Sequence, residues 1–176
     1  MTNSKLTPVI DAEQIRRRVM ELGREIGEHY QGKTIHIICV LKGGFIFAAD
    51  LMRALPVSPT IDFVRLASYG GGTESSGNVK FLADLSEDIT DRHVLVVDDI
   101  IDTGHSMRAL LDHLAGMHPA SLELCVLIDK RERRVCPVSV EYVAFEFPGG
   151  FLVGYGMDHA ELYRNLDALY VLDPSE

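Results

Sequence analysis

The sequence predicts an α/β fold, a doubly wound and mostly parallel sheet with helices packed on it. Short apolar runs typical of strands alternate along the chain with longer segments of helical periodicity, and this alternation is typical of such a sheet. One run, VLVV at 94–97, has four consecutive aliphatic residues, as strands buried on both faces do. It stops at the paired acids Asp98 and Asp99, so we expect this strand to deliver two carboxylates to its carboxyl end.

The first half of the chain supplies a capped helix and the opening strands of the sheet. Asp11 is a suitable N-cap, and Gln14 stands at the position that completes a capping box. Residues at helical spacing then form one apolar stripe: Ile15, Val19, Leu22 and Ile26. Strands are predicted over 34–41, 60–67 and 79–82, and a helix over 45–54.

The second half continues the alternation. The helix after the acid pair has its apolar residues three and four positions apart, at Met107, Leu110, Leu111 and Leu114. Strands are predicted over 122–128 and 138–145. From Phe147 onward, glycines and aromatic residues replace clean periodicity. We expect this C-terminal segment to form most of a small hood over the strand ends, where open α/β sheets bind their ligands.

Length and composition favour a single domain over 1–176. Of the 176 residues 47% are hydrophobic, which is enough to bury one substantial core. The formal net charge of -9 is spread without long blocks of like charge, which argues against nucleic acid or an anionic membrane as partner. The one sharp basic cluster comprises Lys130, Arg131, Arg133 and Arg134. We interpret it as one ligand contact at Lys130 plus solvated loop charges.

The cysteines and the N-terminal sequence favour a cytoplasmic location. Cys39, Cys125 and Cys136 are odd in number and show no CxxC spacing, and two of them lie in apolar strand-like runs, as reduced and packed thiols do. The first ten residues carry no apolar core of a signal peptide. No stretch approaches the ~18 apolar residues of a membrane span.

The segment after the acid pair has the composition of a phosphate-binding turn. Asp102, Thr103, Gly104 and Ser106 are small or hydrogen-bonding residues placed at the start of a helix, where backbone N–H groups and partial positive charge favour an anion. Carboxylates beside a phosphate would repel it unless a divalent cation or a positively charged transition state intervenes. The pattern therefore indicates a phosphorylated sugar, a magnesium ion, or both. In the simpler alternative, Asp102 only caps the helix and the acid pair is solvated.

The run from Val94 to Met107 resembles the phosphoribosyl diphosphate signature of the type I phosphoribosyltransferases, and its form VVDDIIDTG is most similar to the hypoxanthine-guanine branch. Four more segments resemble that family in the same order: LKGG at 41–44, Ser68-Tyr69 before a Gly-rich stretch, LIDKR at 127–131, and FLVGYGMD at 151–158 followed by Arg164. The resemblance implies the type I phosphoribosyltransferase fold with its hood. It also implies transfer of a phosphoribosyl group from phosphoribosyl diphosphate to a 6-oxopurine base, with Mg²⁺ as cofactor.

The resemblance also implies roles for individual residues. The general base that takes or shares the purine N7 proton would be Asp102. The residues that would bind phosphoribosyl diphosphate are Lys42, Gly43, Asp98, Asp99, Asp102, Thr103, Gly104, His105, Ser106 and Arg164. The purine would contact Lys130, Phe151, Leu152 and Asp158. Metal contacts would come from Asp98, Asp99 and Asp158, and a lid would close through Ser68 and Tyr69. The Leu41-Lys42 peptide would be cis, which the sequence by itself does not show.

The chain departs from the family pattern at two positions. The family often has Glu where this chain has Asp98, so the carboxylate of this chain reaches less far toward the ribose. The family often has Lys where this chain has His105, so the charge of this side chain beside the phosphate depends on pH. The remaining histidines show no HExxH or comparable spacing, and no zinc site is predicted.

Other protein classes fit parts of the sequence. A receiver domain also has a strand that ends in paired aspartates, but DTGHS has no role there and few residues follow Asp99. The glycines at 72–77 have P-loop spacing, but Asn78 and Val79 stand where a P-loop needs Lys and Ser or Thr.

Loss of Asp102 or of the aromatic pocket would favour a regulator that senses phosphoribosyl diphosphate without chemistry, but both are present. Among enzymes for other bases, Lys130 and Phe151 favour 6-oxopurines, and xanthine stays open as a substrate. Oligomeric state also stays open, although the family is commonly dimeric or tetrameric.

Overall fold

The computed structural model describes residues 5–68 and 79–173. Its helices and strands in chain order are β1 (Lys5–Ile10), α1 (Ala12–His29), β2 (Ile35–Leu41), α2 (Phe45–Ala54), β3 (Thr60–Ser68), β4 (Val79–Ala83), β5 (His93–Ile101), α3 (His105–Ala115), β6 (Ser121–Asp129), β7 (Tyr142–Glu146), β8 (Leu152–Val153) and β9 (Leu169–Asp173). A single 3-10 turn, Arg131–Arg133, follows β6.

The central sheet has six strands in the order β4-β3-β2-β5-β6-β7. Its pairs are parallel except for β3 with β4, which is antiparallel at one edge. Side chains of α1 and α2 share one core cluster with one face of the sheet, and those of α3 share a second cluster with the other face. This confirms the predicted doubly wound, mostly parallel α/β fold.

A second, antiparallel sheet has the strand order β1-β9-β8. Two of its strands come from the C-terminal segment, where the sequence predicted the hood. The third is β1, near the N-terminus, which pairs with β9 from Lys5 against Asp173 onward. Sequence analysis did not predict β1, because KLTPVI has little alternation, contains Pro8 and is mostly exposed.

Local sequence patterns predicted the helices well, whereas pairing with neighbouring strands determines where the strands end. The predicted capping box of α1 is present, with Asp11 Oδ1 accepting from Gln14 N at 2.7 Å. The helix predicted over 45–54 is α2, and its bounds are the predicted ones. In contrast, β5 does not stop at the acid pair but continues to Ile101, because its neighbour β6 keeps pairing as far as Ile101 opposite Asp129. The strand predicted over 138–145 is β7, which is shorter than predicted and begins only at Tyr142.

The three cysteines are unpaired thiols. Cys39 and Cys125 are buried in β2 and β6, as predicted for packed, reduced residues. Burial raises the pKa of Cys39 to about 12 and also raises that of Cys125, so both stay protonated at neutral pH. Within 5–68 and 79–173 no helix combines the length and the apolar character needed to cross a bilayer.

On β3 a buried carboxylate connects the sheet to the loop that precedes β5. Asp62 is 7% exposed, and its oxygens accept from Phe63 N, Ser86 N and Oγ, and Glu87 N at 2.7–3.1 Å. Burial by itself raises the pKa of Asp62, but these hydrogen bonds outweigh it and hold the pKa below its ordinary value.

Replacing Asp62 by alanine is expected to lower the free energy of unfolding by about 2–3 kcal/mol at pH 7, because the backbone donors at Ser86 and Glu87 lose their acceptor. The folded pKa is depressed, so this stabilisation is complete above the unfolded pKa of about 3.9 and is lost as pH falls through the folded pKa. Urea unfolding of both proteins between pH 7 and pH 3 tests this, with Asp167→Ala, at an exposed site, as the control. A stability difference that stays constant down to about pH 3 would contradict the assignment.

Candidate active site at the carboxyl ends of the strands

A cleft of ≈ 570 Å³ lies where the carboxyl ends of β5 and β6 meet the second sheet. Its walls are formed by Asp99, Ile100, Asp102, Lys130, Arg133, Gly150, Phe151, Leu152, Met157 and Asp158. Six of these were predicted from sequence as site residues. Sequence analysis missed the apolar walls Ile100 and Met157, although each stands inside a motif that carried the resemblance. A cavity of similar size, ≈ 540 Å³, lies between α1, α2 and the segment that connects β8 to β9, and no predicted site residue lines it.

The acid pair lies within β5 and not beyond it. Asp98 Oδ1 accepts from Asp99 N at 2.9 Å, and Asp99 Oδ1 accepts from Ile100 N at 2.9 Å. Burial raises the pKa of both carboxyls, and the neighbouring Asp99 charge raises that of Asp98 further. Asp99 lines the cleft, whereas Asp98 is not among the lining residues. Because two crowded carboxylates repel each other, this edge of the cleft favours a bound cation.

The turn between β2 and α2 packs directly on the acid pair. Its Leu41-Lys42 peptide is cis, as the resemblance implied. A Cβ on Gly43 would lie 1.8 Å from Asp99 Oδ2, so any larger residue there requires the turn or the Asp99 carboxylate to move. A Cβ on Gly156, whose φ is +103°, would lie 2.2 Å from Gly43 O. The backbone of this turn is therefore confined between β5 and the segment that follows β8.

The predicted phosphate turn has the geometry of an open helix N-terminus. Gly104 is the N-cap of α3, with φ 90°, and His105 is the first helical residue. No side chain in the part of the chain that the structure describes accepts a capping hydrogen bond there. The alternative in which Asp102 caps α3 is therefore wrong. The first N–H groups of the helix are left for a ligand or water.

A buried lysine and an exposed aromatic ring face the same cleft. Lys130 is 5% exposed, and its Nζ donates to Gly150 O at 2.8 Å. Burial lowers the pKa of Lys130, and the charge of Asp102 offsets part of this effect. Phe151 is 51% exposed and meets His159 edge to face at 5.3 Å, whereas Leu152 beside it is buried. The site thus offers a donor and a flat apolar face to a planar ligand.

A network of ion pairs forms one rim of the cleft. Arg164 pairs with Asp158 at 2.7 Å and approaches Glu161 at 3.5 Å, and Lys42 pairs with the same Glu161 at 2.8 Å. The other oxygen of Asp158 accepts from Glu161 N at 2.8 Å. Lys42 and Arg164, the two cations predicted to bind diphosphate, therefore lie together and are paired with the carboxylates of Asp158 and Glu161.

The basic cluster differs from its sequence interpretation. Arg131 and Arg133 are exposed, as expected for solvated charges, although Arg133 Nε lies 3.0 Å from Asp102 Oδ1. The contact between Arg133 and Asp102 is an ion pair without a hydrogen bond, because its geometry does not direct an N–H of Arg133 at Asp102 Oδ1. Arg134 contradicts the interpretation, because its side chain is only 14% exposed and pairs with the buried Asp129. The burial of Arg134 beside the end of β6 could not be inferred from its place in a run of basic residues.

The donor set fits Mg²⁺ bound together with a ligand. Within the described residues no group of three or more Asp, Glu, His or Cys side chains is arranged to hold a metal by itself. Asp98 and Asp99 form a carboxylate pair, whereas both oxygens of Asp158 are already engaged. Magnesium is usually held by one or two protein carboxylates plus substrate oxygens and water. The predicted lid falls on Ser68, whose backbone ends β3, and on Tyr69, which lies outside the described residues.

Comparison with known proteins decides the family. The model of the phosphoribosyl transferase domain matches residues 9–160. The chain belongs to the phosphoribosyltransferase family. A hypoxanthine-guanine phosphoribosyltransferase of Aquifex aeolicus is 44% identical over 170 residues, covering 96% of both chains, and one of Mycobacterium avium is 44% identical over 172 residues, covering 94% of this chain and 85% of the other. The crystal structure of a hypoxanthine-guanine phosphoribosyltransferase from Bacillus anthracis superposes with a TM-score of 0.93 at 44% identity, covering 96% of this chain and all of the other.

Membership in the phosphoribosyltransferase family accounts for the order of the motifs along the chain. The acid pair lies near the end of β5, the phosphate turn follows β5, and the lysine follows β6. Because these strands are parallel and adjacent, their carboxyl ends meet at one edge. The cleft therefore lies at the edge where open α/β sheets bind their ligands.

Proposed function

We propose that the protein is a purine salvage enzyme that transfers the 5-phosphoribosyl group of phosphoribosyl diphosphate to N9 of hypoxanthine or guanine, giving IMP or GMP and pyrophosphate. The observation that carries the proposal is that one cleft brings together Asp99, Asp102, the buried amine of Lys130 and the ring of Phe151. The named relatives of Aquifex aeolicus and Mycobacterium avium support this choice of base. We treat residues 1–176 as one catalytic domain with the second sheet as its hood.

The arrangement of charge suits the proposed reaction. Breaking the bond between ribose C1 and the diphosphate oxygen builds positive charge on the sugar and negative charge on the leaving group. Asp98 and Asp99 lie on the side proposed for the sugar, and Lys42 and Arg164 on the side proposed for the diphosphate. As the bond from N9 to C1 forms, Asp102 takes the proton from purine N7.

The 5′-phosphate is proposed to occupy the turn from Thr103 to Ser106, including His105, where no side chain of the described residues caps the N–H groups at the start of α3. Mg²⁺ bound through Asp98, Asp99 and substrate oxygens would neutralise diphosphate charge, with Asp158 acting nearby. Asp158 and the Leu152 backbone are proposed to meet the purine edge. Ser68 and Tyr69 remain proposed as a lid that excludes water.

Lys130 is proposed to select 6-oxopurines by donating to the exocyclic oxygen. Lys130→Met is expected to raise the KM for hypoxanthine by about 10- to 100-fold, because a buried acceptor on the base loses its donor, while the KM for phosphoribosyl diphosphate changes less than about threefold. Steady-state kinetics with each substrate varied in turn measure the split. The control is Arg131→Met on the neighbouring, exposed side chain. Equal rises in both KM values would contradict the assignment.

The reaction itself is tested by supplying phosphoribosyl diphosphate, Mg²⁺ and one nucleobase at a time, and identifying the nucleotide formed. The proposal expects IMP and GMP, little product from adenine or pyrimidines, and none after EDTA treatment. Xanthine differs from guanine only at the 2-position and serves as the near competitor. A chain that binds phosphoribosyl diphosphate but forms no nucleotide with any base would instead be a sensor of that compound.

We further propose that the protein works in the cytoplasm as a homodimer or homotetramer, with no nucleic acid or membrane as partner. The buried, unpaired thiols of Cys39 and Cys125 suit a reducing compartment, and the formal net charge of -9 opposes binding to polyanionic surfaces. Light scattering coupled to size-exclusion chromatography would measure the mass in solution, and a monomer at working concentration would overturn the oligomer.

A further inference from the structure

The segment that follows β6 packs against the phosphate turn through main-chain contacts. Val135 N and Cys136 N both donate to Thr103 O, at 3.0 Å and 2.9 Å. The preceding carbonyl, Asp102 O, accepts from Arg134 Nε at 3.1 Å. Two consecutive carbonyls of the turn are therefore directed toward residues 134–136.

The direction of these carbonyls sets the direction of the N–H groups. In a trans peptide the C=O of one residue and the N–H of the next point to opposite sides of the chain. Directing Asp102 O and Thr103 O toward the 134–136 segment therefore turns the N–H groups of Thr103 and Gly104 away from it. The turn can present N–H groups to an anion only while its carbonyls are held on the other side.

Arg134 is held in position by contacts other than its contact with the turn. Its guanidinium is 14% exposed and pairs with Asp129, whose side chain is 3% exposed at the end of β6. Nη1 also reaches Val138 O at 3.4 Å. A planar guanidinium has several donors in fixed directions, so one group can pair with a carboxylate and donate to a carbonyl at the same time.

The packing around the turn leaves its backbone little room for another conformation. A Cβ on Gly104 would lie 2.6 Å from Cys136 O and 2.8 Å from Arg134 Cδ, so the backbone of the turn is in van der Waals contact with this segment. In the same loop, Arg131 also contacts Asp129 but is exposed, and none of its hydrogen bonds or ion pairs reaches the turn. The two arginines thus share a partner and differ in their contact with the turn.

We propose that Arg134, held by Asp129, is a positioning residue that orients the Asp102–Thr103 peptide so that the turn can bind the 5′-phosphate. The inference rests on the proposed function, which places that phosphate at the turn. Arg134 itself does not touch substrate. Its removal should therefore weaken binding of phosphorylated ligands far more than binding of the same ligand without phosphate.

The test compares binding of IMP and inosine by titration calorimetry in four variants. Arg134→Lys keeps a charge for Asp129 but cannot hold both partners in one fork. Arg134→Met paired with Asp129→Asn removes the charge pair without leaving a buried charge alone, which protects the fold if the single Arg134→Met variant is unstable. Arg131→Met is the matched control at the same carboxylate.

The expected result is a loss of about tenfold or more in IMP affinity for Arg134→Lys and for the double variant, with inosine affinity changed less than about threefold. In kinetics, the KM for phosphoribosyl diphosphate should rise more than kcat falls. Arg131→Met should keep the ratio of IMP to inosine affinity found in the unmodified protein. Thermal unfolding reports any loss of stability separately.

Two results would overturn the inference. Unchanged affinity for IMP and for inosine in both Arg134→Lys and the double variant would show that Arg134 only stabilises the loop. So would equal losses for the two ligands. If the unmodified protein binds neither ligand and forms no nucleotide, the proposed function fails and the inference fails with it. An active, unmodified protein with Arg134 variants that bind normally removes only the inference.

Discussion

Replacing Asp102 by asparagine is expected to lower kcat by about 100- to 10,000-fold, because the amide cannot take the proton from purine N7. The side chain keeps its size, and the main-chain contact from Arg134 to Asp102 O does not involve the carboxylate. Asp102 lines the cleft together with Lys130 and Phe151, so the change is confined to the place where the base is proposed to lie. The fold and the binding of substrates should therefore be retained.

Single-turnover nucleotide formation and titration with phosphoribosyl diphosphate together check this prediction. The matched control is Asp112→Asn, at an exposed aspartate of α3 that pairs with Arg108 outside the cleft. That variant should keep normal kcat. Near-normal turnover of Asp102→Asn would remove Asp102 from the catalytic role, and loss of binding in place of turnover would assign it to the substrate site.

Replacing Gly43 by alanine is expected to lower kcat/KM by about 100-fold or more. The new Cβ would lie 1.8 Å from Asp99 Oδ2, so either the turn or the acid must move. Overpacking of this kind costs about 1–3 kcal/mol, and a displacement of about 1 Å at reacting groups can cost about 100-fold in rate. Both moves affect the site, because the turn carries Lys42 and the acid is proposed to bind the sugar and Mg²⁺.

The control for Gly43→Ala is Gly149→Ala, because a Cβ at Gly149 meets no heavy atom within 4 Å. Kinetics with varied phosphoribosyl diphosphate and varied Mg²⁺, together with thermal unfolding, would separate a damaged site from a damaged fold. We expect Gly43→Ala to require more of both ligands while it stays folded. Normal kinetics in Gly43→Ala would show that the turn can yield without consequence, contrary to the packing described.

Much of the local structure could be predicted because its causes are local. The capping box at Asp11 and Gln14 depends on residues three positions apart, and the buried stripe of α1 depends on helical spacing. The same holds for α2, whose bounds were predicted without error. The candidate site was predictable for a different reason. Its residues stand in motifs that resemble a known family. These motifs lie at or just after the ends of adjacent parallel strands, and such strands place their carboxyl ends at one edge.

Features that depend on distant partners were missed. β1 has a weak pattern of its own and forms because β9, at the other end of the chain, pairs with it. On β3 the acid Asp62 is buried and the aromatic Phe63 is 42% exposed, the reverse of what their polarity suggests, because donors of the loop at 86–87 satisfy the buried carboxylate. Neither partner is near in sequence.

The amino-acid sequence by itself determined the fold class and the order of the strands and helices of the central sheet, since these follow from periodicity and composition over short windows. The candidate site residues followed from the motifs that resemble a known family. Only the tertiary structure decided which of those side chains face the cleft and which are occupied by partners. It placed Asp99 in the cleft wall, paired Arg164 with Asp158, and buried Arg134 against Asp129. The physical reason is that burial and pairing of a charge depend on groups brought together by chain folding, and these contacts leave no mark in the sequence around either residue.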